Sequence, residues 1–493
     1  MPRRAPLFAL ACLAGLGLAC AISAQAPGQR DGSQGGVPSP LKLPALGPTG
    51  RGPERVLLVS VGGLRAAHYR SDVGVSALMP TVAALARAGV SADAVIPVTP
   101  AASYPAHATL VTGQRPDRHG VVGNRLLGEH GLRPARYLHA SRIQGGSLWQ
   151  AAHEVGLSVV ALGWPSTLGA PIGLLLPELA PLSGSQSWLG LLRDTTTPWL
   201  LEQLSGQPLA AAWFSRWPTP AERDAALVDL ACSIASREGS PRLWLLHLIQ
   251  ASEGMQRYGP ESQQARAALS RTDREIQRLI ECLAAAGLLD SSALVLVGDH
   301  AVAPVHTRVD PNVALLRAGL LVGDPKAETG IESWSAIVQS NGASAFVYAR
   351  SESAAVEARR VLSEEASRTR AFRVVSAAEL QALRGDPQAW FGLEAEPGFG
   401  FGDAVTPPAL RAATLRGLGG HLSSREGSEV GLVAWGRGLR RAVHIPRMHQ
   451  VDVAPTVAVL LGLGLRFEQI DGRPFVGALD VPIGQGAAAG APR

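Results

Sequence analysis

The sequence predicts an α/β protein built on a doubly wound, mostly parallel sheet with helices on both faces. Apolar runs of six to eight residues recur along the chain, and segments with the helical apolar spacing of three and four separate them. The chain has 493 residues, of which 46% are apolar and 17% charged, so it can bury a large core. Alternation of strands and helices on this scale is typical of a parallel sheet covered on both sides.

The candidate strands are continuous apolar runs of the kind that a parallel sheet buries on both faces. They are VLLVSV (56–61), SVVALGW (158–164), RLWLLHLI (242–249), SALVLVG (292–298) and EVGLVAWG (429–436). A helix is predicted at TVAALARAG (81–89), where Gly89 is a suitable C-cap. Parallel strands of this type end where α/β proteins bind their ligands, so the residues that follow them are candidate ligand-binding residues.

The two ends of the chain are predicted to lie outside the folded domain. Residues 1–24 have the basic start, apolar stretch and small residues of a signal peptide. A lipid attachment at Cys20 is the alternative, although Gly17 is not the branched residue that it needs. Residues 25–54 form a flexible leader rich in Pro and Gly, residues 55–478 one domain, and residues 479–493 a disordered tail. No later run is long enough for a transmembrane span, so we expect a secreted or periplasmic protein.

Charge and cysteine usage narrow the possible partners. The formal net charge of +5 falls to +3 without Arg3 and Arg4, and no run of basic residues indicates nucleic-acid binding. Outside the signal peptide only Cys232 and Cys282 remain, each within a predicted helix. An oxidising compartment would allow a disulfide between them, and two buried free thiols are the alternative.

Three short stretches carry polar residues that the apolar pattern does not explain. Ser103 immediately precedes a predicted short helix that Gly113 closes, where a hydroxyl could attack a bound phosphoryl group or could simply cap the helix. Asp299 and His300 directly follow the strand at 292–298, a common way to present metal ligands. His421 lies in the glycine-rich loop GLGGHLSS just before the last strand. Taken singly, a capping Asp or a surface His would be the commoner explanation.

In this order, the stretches resemble the nucleotide pyrophosphatase/phosphodiesterase family of the alkaline phosphatase superfamily, especially its bacterial secreted members. The likeness extends from VLLVSVGGLR to DGRPF (471–475) and includes HGVVGN, which ends at Asn124, and VDVAPTVAVLLGL (451–463). Ser103 and Asn124 stand 21 positions apart, which is the family's spacing between the nucleophile and an asparagine that holds a phosphoryl oxygen. The resemblance implies an alkaline-phosphatase-like phosphodiesterase domain.

The resemblance also implies roles for the five polar residues. Ser103 would be the nucleophile, and Asn124 would help to neutralise the transition state. Asp299 and His300 would bind one zinc ion, and His421 would bind a second. The substrate would be a small-molecule phosphoester or a nucleotide.

Three of the family's six metal ligands are absent from this sequence. The first strand of the family ends in Asp-Gly, and that Asp is a ligand, whereas Gly62 and Gly63 stand here. An Asp and a His four residues apart should precede the Tyr-Gly-Pro at 258–260. Their positions are occupied by Ala251 and Met255, or by Ser252 and Gln256 if the alignment shifts by one residue.

Two functional classes remain open after this comparison. Glu253 and His247 could substitute for the lost ligands if their side chains pointed into the crevice. Because a zinc site normally needs three protein ligands, we expect at most one ion. The protein is then a secreted, zinc-dependent phosphodiesterase or nucleotide pyrophosphatase with a degenerate metal site. The alternative is a catalytically inactive relative, a pseudoenzyme that binds a ligand or serves a structural role.

Overall fold

Strands and helices alternate through most of the computed structural model, which describes residues 43–44, 50–70, 77–128, 131–179, 188–207, 210–327, 329–465 and 469–482. The strands in these residues are β1 (Arg55–Val61), β2 (Val90–Ile96), β3 (Arg125–Gly128), β4 (Gly131–Arg136), β5 (Val159–Leu162), β6 (Leu174–Leu176), β7 (Leu243–Leu248), β8 (Ser292–Gly298), β9 (Ala303–Val309), β10 (Leu321–Gly323), β11 (Ile331–Trp334), β12 (Ala336–Ser340), β13 (Ser344–Ala349), β14 (Phe372–Val375), β15 (Phe391–Ala395), β16 (Gly398–Phe401), β17 (Leu410–Ala412), β18 (Gly417–Leu418), β19 (Val430–Gly436) and β20 (Val443–His449).

The α-helices in the same residues range from one turn to six turns in length. They are α1 (Pro80–Ala88), α2 (Ser103–Thr112), α3 (Pro116–His119), α4 (Leu148–Glu154), α5 (Trp188–Thr195), α6 (Pro198–Ser205), α7 (Ala210–Ser215), α8 (Pro220–Ala235), α9 (Gln250–Tyr258), α10 (Gln263–Ala285), α11 (Asn312–Arg317), α12 (Glu352–Thr369), α13 (Ala377–Ala382) and α14 (Val453–Leu461). Among the described helices, none is both long and apolar enough to cross a membrane.

Eight strands form the central sheet, in the order β20-β2-β19-β8-β1-β7-β5-β6. β1 is parallel to both of its neighbours, β7 and β8, and β5 continues the parallel pairing beyond β7. β19 is antiparallel to both β8 and β2. The predicted mostly parallel sheet is therefore confirmed, and all five predicted strands are present to within two residues at each end.

Three strands of this sheet, β2, β6 and β20, were not predicted from the sequence. β2 reads VSADAVI, in which polar residues interrupt the apolar run. β20 reads VHIPRMH and lies at the edge of the sheet. Pro446 is tolerated there because a residue of an edge strand can point its backbone nitrogen away from the neighbouring strand. Polar side chains on β2 and β20 are partly or fully exposed, so the continuous apolar signal of a buried strand is missing, and β6 is only three residues long.

Helices cover both faces of the sheet, as predicted. On one face, Leu57 and Val59 of β1 belong to a buried cluster with residues of α1, α8, α9 and α10. On the other face, Val56 and Leu58 pack in a cluster with residues of α2, α4 and α14. Successive residues of β1 thus point into opposite cores, so the strand is buried along its whole length.

Between β8 and β19 in the chain, four strands form a smaller antiparallel sheet in the order β12-β13-β15-β14. α12 packs against β13 and β14, and their apolar side chains share one buried cluster. The turn between β12 and β13 lies against the glycine loop that precedes β19, because Ala343 N donates to Gly419 O at 2.9 Å. The smaller sheet therefore reaches the edge of the central sheet where β8 ends.

Cys232 of α8 and Cys282 of α10 form a disulfide in the structure, with their Cα atoms 5.3 Å apart. This decides between the two alternatives that the sequence left open. The predicted signal peptide, most of the predicted leader and residues 483–493 of the predicted tail lie outside the described residues. Leu479, at the start of the predicted tail, is buried and pairs with Leu439.

Candidate active site

The ends of β1, β7 and β8 lie side by side at one edge of the central sheet. β1 pairs in parallel with both other strands, and Val61 is level with Leu248 and Gly298. The residues that follow these strands are therefore neighbours in space. This is the edge at which open α/β sheets bind their ligands.

Asp299 follows β8 and is the centre of the polar cluster at this edge. Its side chain is 1% exposed, and its Oδ1 atom accepts hydrogen bonds from the backbone N–H groups of Gly63 (3.1 Å) and His300 (2.8 Å). Burial by itself raises the pKa of Asp299, but the nearby rings of His300 and His107 and these two N–H donors outweigh it, so the pKa lies below its usual value. The carboxylate is thus ionised, and its Oδ2 atom faces the cluster.

Ser103 is the first residue of α2, and it does not cap the helix. The N-cap position belongs to Ala102, which makes no side-chain capping bond. The Ser103 hydroxyl instead donates to Asp299 Oδ2 at 3.2 Å. The alternative of an ordinary capping serine is therefore wrong, and the hydroxyl is aimed at the polar cluster.

Asn124 lies beside the first turn of α2. Its Oδ1 atom accepts a hydrogen bond from the backbone N–H of Tyr104 at 3.0 Å, which fixes the orientation of the amide. The amide nitrogen makes no hydrogen bond to any residue that the structure describes. It is therefore available to an anion held near Ser103.

His300 and His421 complete the set predicted from the sequence. His300 Nε2 is 3.6 Å from Asp299 Oδ2, so Ser103 and His300 both approach the same oxygen. His421 lies next to the residues that precede α2, because Ala101 N donates to His421 O at 2.8 Å. Burial, with a smaller contribution from the charge of Arg425, lowers the pKa of His421 to about 4. The five residues come from four separate parts of the chain and lie at one edge.

The positions of the lost ligands are filled by small or apolar groups. A Cβ atom at Gly62 would lie 2.4 Å from Ser252 Oγ, and one at Gly63 would lie 2.3 Å from the terminal methyl of Met255. Gly62 does not have a positive φ, so space and not backbone strain would oppose a side chain there. Ser252, at 5% exposure, thus occupies the volume into which an aspartate at residue 62 would project.

The two suggested substitutes differ in their positions. Glu253 is exposed and lines a surface groove with Arg257, so it does not reach the cluster. His247 of β7 is 2% exposed, and its Nε2 atom lies 3.8 Å from Asp299 Oδ2. Of the two, only His247 points to the edge where Asp299 lies.

His107 joins this cluster and was not predicted. One potential ligand atom from each of His107, His247 and Asp299 lies within 4.8 Å of the other two, and all three residues are buried. The rings of His107 and His247 have centroids 4.1 Å apart. These three residues could hold a metal ion. The signal in the sequence was the spacing of His107 from Ser103, because residues four apart lie on one face of a helix.

Asn341, in the turn between β12 and β13, is a further buried polar residue near the site. Its side chain is 7% exposed, and neither amide atom has a hydrogen-bond partner among the described residues. If Gly123 carried a Cβ atom, that atom would lie 2.6 Å from Asn341 Oδ1. A Cβ atom at Gly420 would lie 1.7 Å from the backbone oxygen of Asn341. Asn341 therefore contacts Gly123, which precedes Asn124, and Gly420, which precedes His421. No pattern in the sequence identified it.

Comparison with known proteins assigns the same region to one family. Residues 56–391 match the model of the type I phosphodiesterase/nucleotide pyrophosphatase family. The chain is similar to human ectonucleotide pyrophosphatase/phosphodiesterase family member 7, with 27% identity over 260 residues that cover 52% of this chain and 49% of that protein. It is also similar to human family member 1, with 22% identity over 250 residues that cover 50% of this chain and 23% of that protein. The matched residues thus span half or less of these relatives' lengths.

The structure is similar to that of human ectonucleotide pyrophosphatase/phosphodiesterase 5. The TM-score is 0.60 at 17% sequence identity, and the match covers 83% of this chain and 95% of that chain. At this identity, the similarity establishes the fold alone. It confirms the predicted α/β, alkaline-phosphatase-like architecture.

Proposed function

Because the chain belongs to the type I phosphodiesterase/nucleotide pyrophosphatase family, we propose that it hydrolyses phosphodiester or pyrophosphate bonds with Ser103 as the nucleophile. One observation carries this proposal: the Ser103 hydroxyl is free of helix capping and is held 3.2 Å from Asp299 Oδ2. The substrate class is a small-molecule phosphoester or a nucleotide.

In the proposed reaction, Ser103 Oγ attacks the phosphorus atom as the hydroxyl proton passes to bulk water, which also supplies the proton that the leaving oxygen takes up. The bond from phosphorus to the leaving oxygen breaks, and that oxygen departs as an alcohol or a phosphate after taking up a proton. Water then attacks the phosphoserine ester at phosphorus, which releases the second product and restores the hydroxyl. Asp299 Oδ2 orients the hydroxyl for the first step through the hydrogen bond already present.

The developing negative charge on the phosphoryl oxygens needs donors in fixed positions. The Asn124 amide nitrogen is one such donor, because Tyr104 N–H holds the amide by its oxygen. The first turn of α2 adds the partial positive charge of a helix N-terminus. Both features lie next to Ser103.

We propose zinc as the metal, with at most one ion per chain. When bound, the ion would supply positive charge that polarises the phosphoryl group. Asp299 would be one of its ligands. In the family arrangement, His300 is the ligand beside it. The residues do not fit a second ion, because His421 would be its one remaining ligand and a zinc site normally needs three protein ligands.

We also propose that the protein is exported, with residues 1–24 as its signal peptide and residues 55–478 as the phosphodiesterase domain. The Cys232–Cys282 disulfide supports this, because structural disulfides persist mainly in oxidising compartments. The location would be secreted or periplasmic.

A non-catalytic role is the second candidate function. The packing of Ser252 and Met255 against Gly62 and Gly63 favours it, because these side chains occupy volume near lost metal ligands. A protein with this site could bind a phosphoester without turning it over.

The test is the rate of hydrolysis of an aryl phosphodiester by the purified, zinc-supplemented full chain. We expect turnover that falls by at least about 100-fold in Ser103→Ala. Ser252→Ala is the matched control, since this hydroxyl is also buried at the sheet edge but donates only to Ile249 O. Equal rates in the wild type and Ser103→Ala would contradict the proposal, and no turnover in any of the proteins would favour the non-catalytic role.

A further inference from the structure

We propose that a single transition-metal ion binds to His107, His247 and Asp299, and not to the Asp299–His300 pair that the family resemblance implies. This inference deepens the proposed function, because it places the ion beside Ser103. It concerns ion binding, however, and it does not require turnover.

The distances suit one tetrahedral ion after a small closure of the cluster. One atom from each of the three residues lies within 4.8 Å of the others, and His247 Nε2 is 3.8 Å from Asp299 Oδ2. Bonds of about 2 Å in a tetrahedral zinc site place the ligand atoms about 3.3 Å apart. Shifts of roughly 1 Å or less per side chain would therefore complete the coordination, which is within the range of rotamer adjustment.

His107 already has the arrangement of a metal-binding histidine. Its Nδ1 atom lies 2.7 Å from Ser103 O, to which an Nδ1–H group donates, so the lone pair is on Nε2. That Nε2 atom is buried and has no hydrogen-bond partner among the described residues. An imidazole whose other nitrogen is fixed by a backbone carbonyl presents its free nitrogen in one direction.

The buried ring of His247 also lacks hydrogen-bond partners. Neither of its ring nitrogens has a hydrogen-bond partner in the described part of the chain, although the side chain is 2% exposed. Arg223 donates to the backbone oxygen of His247 at 2.9 Å and to that of Gly163 at 3.1 Å, which holds the end of β7 in place. Buried polar atoms normally have partners, so two buried imidazoles with orphan nitrogens beside one carboxylate point to a missing cation.

Asp299 contributes the negative charge that balances such an ion. Its Oδ1 atom is occupied by two backbone N–H groups, so the carboxylate cannot turn away, and Oδ2 is left 3.8 Å from His247 Nε2, with His107 in the same buried cluster. Two imidazole nitrogens and one carboxylate favour zinc and its neighbours in the first transition series over magnesium or calcium, which prefer oxygen ligands. Ser103 Oγ, 3.2 Å from Asp299 Oδ2, lies next to the open position.

The test is the stoichiometry and affinity of zinc and cobalt(II) binding to the metal-stripped full chain. We expect one ion per chain, bound at least about tenfold more weakly by His107→Gln, His247→Gln and Asp299→Asn. His421→Gln is the matched control, because its ring is buried at the same edge but lies outside the three-residue cluster. His300→Gln discriminates this ligand set from the family pairing, because His300 Nε2 is 3.6 Å from Asp299 Oδ2. These two variants should keep the wild-type affinity.

Loss of binding in His300→Gln with retention in His247→Gln would overturn the inference in favour of the family arrangement. Two tightly bound ions, or none, would also overturn it. If His107→Gln does not fold, NMR of cobalt-loaded, histidine-labelled wild-type protein gives the same answer. The ring signals of His107 and His247 should then carry direct-contact shifts, and His421 should not.

Ion binding and hydrolysis can be separated in this design. Binding that depends on His107 and His247 in a protein without phosphodiesterase activity would support the metal site and refute the proposed function. Phosphodiesterase activity that survives in His247→Gln at saturating zinc, with undiminished zinc affinity, would support the proposed function and refute the metal site.

Discussion

The Ser103 hydroxyl lies 3.2 Å from Asp299 Oδ2, although the two residues are 196 positions apart in the sequence. α2 supplies the hydroxyl and the end of β8 supplies the carboxylate, so the contact exists only because both elements end at one edge of the central sheet. The carboxylate is fixed through its other oxygen by Gly63 and His300. The nucleophile proposed here is therefore oriented before any substrate arrives.

Asn124→Asp should lower the rate of phosphodiester hydrolysis by about 100-fold, a loss comparable to that of an oxyanion-hole donor. The aspartate can still accept from Tyr104 N–H, but it replaces the amide donor with a negative oxygen that repels the phosphoryl group. The measurement is kcat/KM, together with the thermal midpoint as a control for folding. An unchanged rate at an unchanged midpoint would remove Asn124 from the site.

Gly62→Ala should destabilise the protein by about 1–3 kcal/mol through overpacking. The new Cβ would lie 2.4 Å from Ser252 Oγ, and this hydroxyl would have to leave its bond to Ile249 O. In a Ser252→Ala background, the cost should be smaller, because the contact to Oγ is gone. A double-mutant cycle by urea unfolding measures the difference, and purely additive effects would contradict this account of the filled position.

Replacing Cys232 and Cys282 by alanine should lower the free energy of unfolding by up to about 4 kcal/mol, since the bond closes a loop of about fifty residues. Their sequence separation is 50. Peptide mass spectrometry of the unreduced protein should find the two cysteines linked. The bond would be refuted by two free thiols in protein produced with its export signal.

His119 should make the protein less stable in acid. Burial lowers the pKa of His119 to about 3, and Val121 N donates to its Nδ1 atom at 3.1 Å, so the folded state holds the neutral ring. The unfolded chain takes up a proton below about pH 6.5. Between about pH 6.5 and 3 the unfolded state therefore binds more protons, and stability should fall by about 1.4 kcal/mol per pH unit from this group.

The measurement for His119 is the free energy of unfolding against pH, in the wild type and in His119→Gln. Glutamine can keep a bond to Thr109, which contacts His119 Nε2 at 3.0 Å, but it does not titrate. The profile of the variant should be flatter in this window. Parallel profiles would show that His119 does not contribute.

The fold was largely predictable because its central strands are buried on both faces. β1 and β8 are continuous apolar runs, and their ends carried the polar residues that meet in the structure. β20 could not be predicted, since an edge strand of alternating burial that contains Pro446 has no such signal.

Parts of the site could not be predicted because they depend on three-dimensional packing. The sequence offered Ala251 or Ser252 for one lost ligand, and only the contact with Gly62 shows that Ser252 occupies the space. His107 is an ordinary histidine in a short helix until β7 brings His247 beside it. Asn341 comes from a separate sheet, so no local pattern links it to Asn124.

The central claim is that Ser103 attacks the phosphoryl group, and trapping of the covalent adduct tests it most directly. Zinc-loaded protein in excess over an aryl phosphodiester is quenched in acid at successive times, digested, and analysed by mass spectrometry. We predict a phosphoester adduct on the peptide that contains Ser103, formed before the second product and absent in Ser103→Ala. Release of both products with no adduct at any time, at an undiminished rate in Ser103→Ala, would contradict the claim.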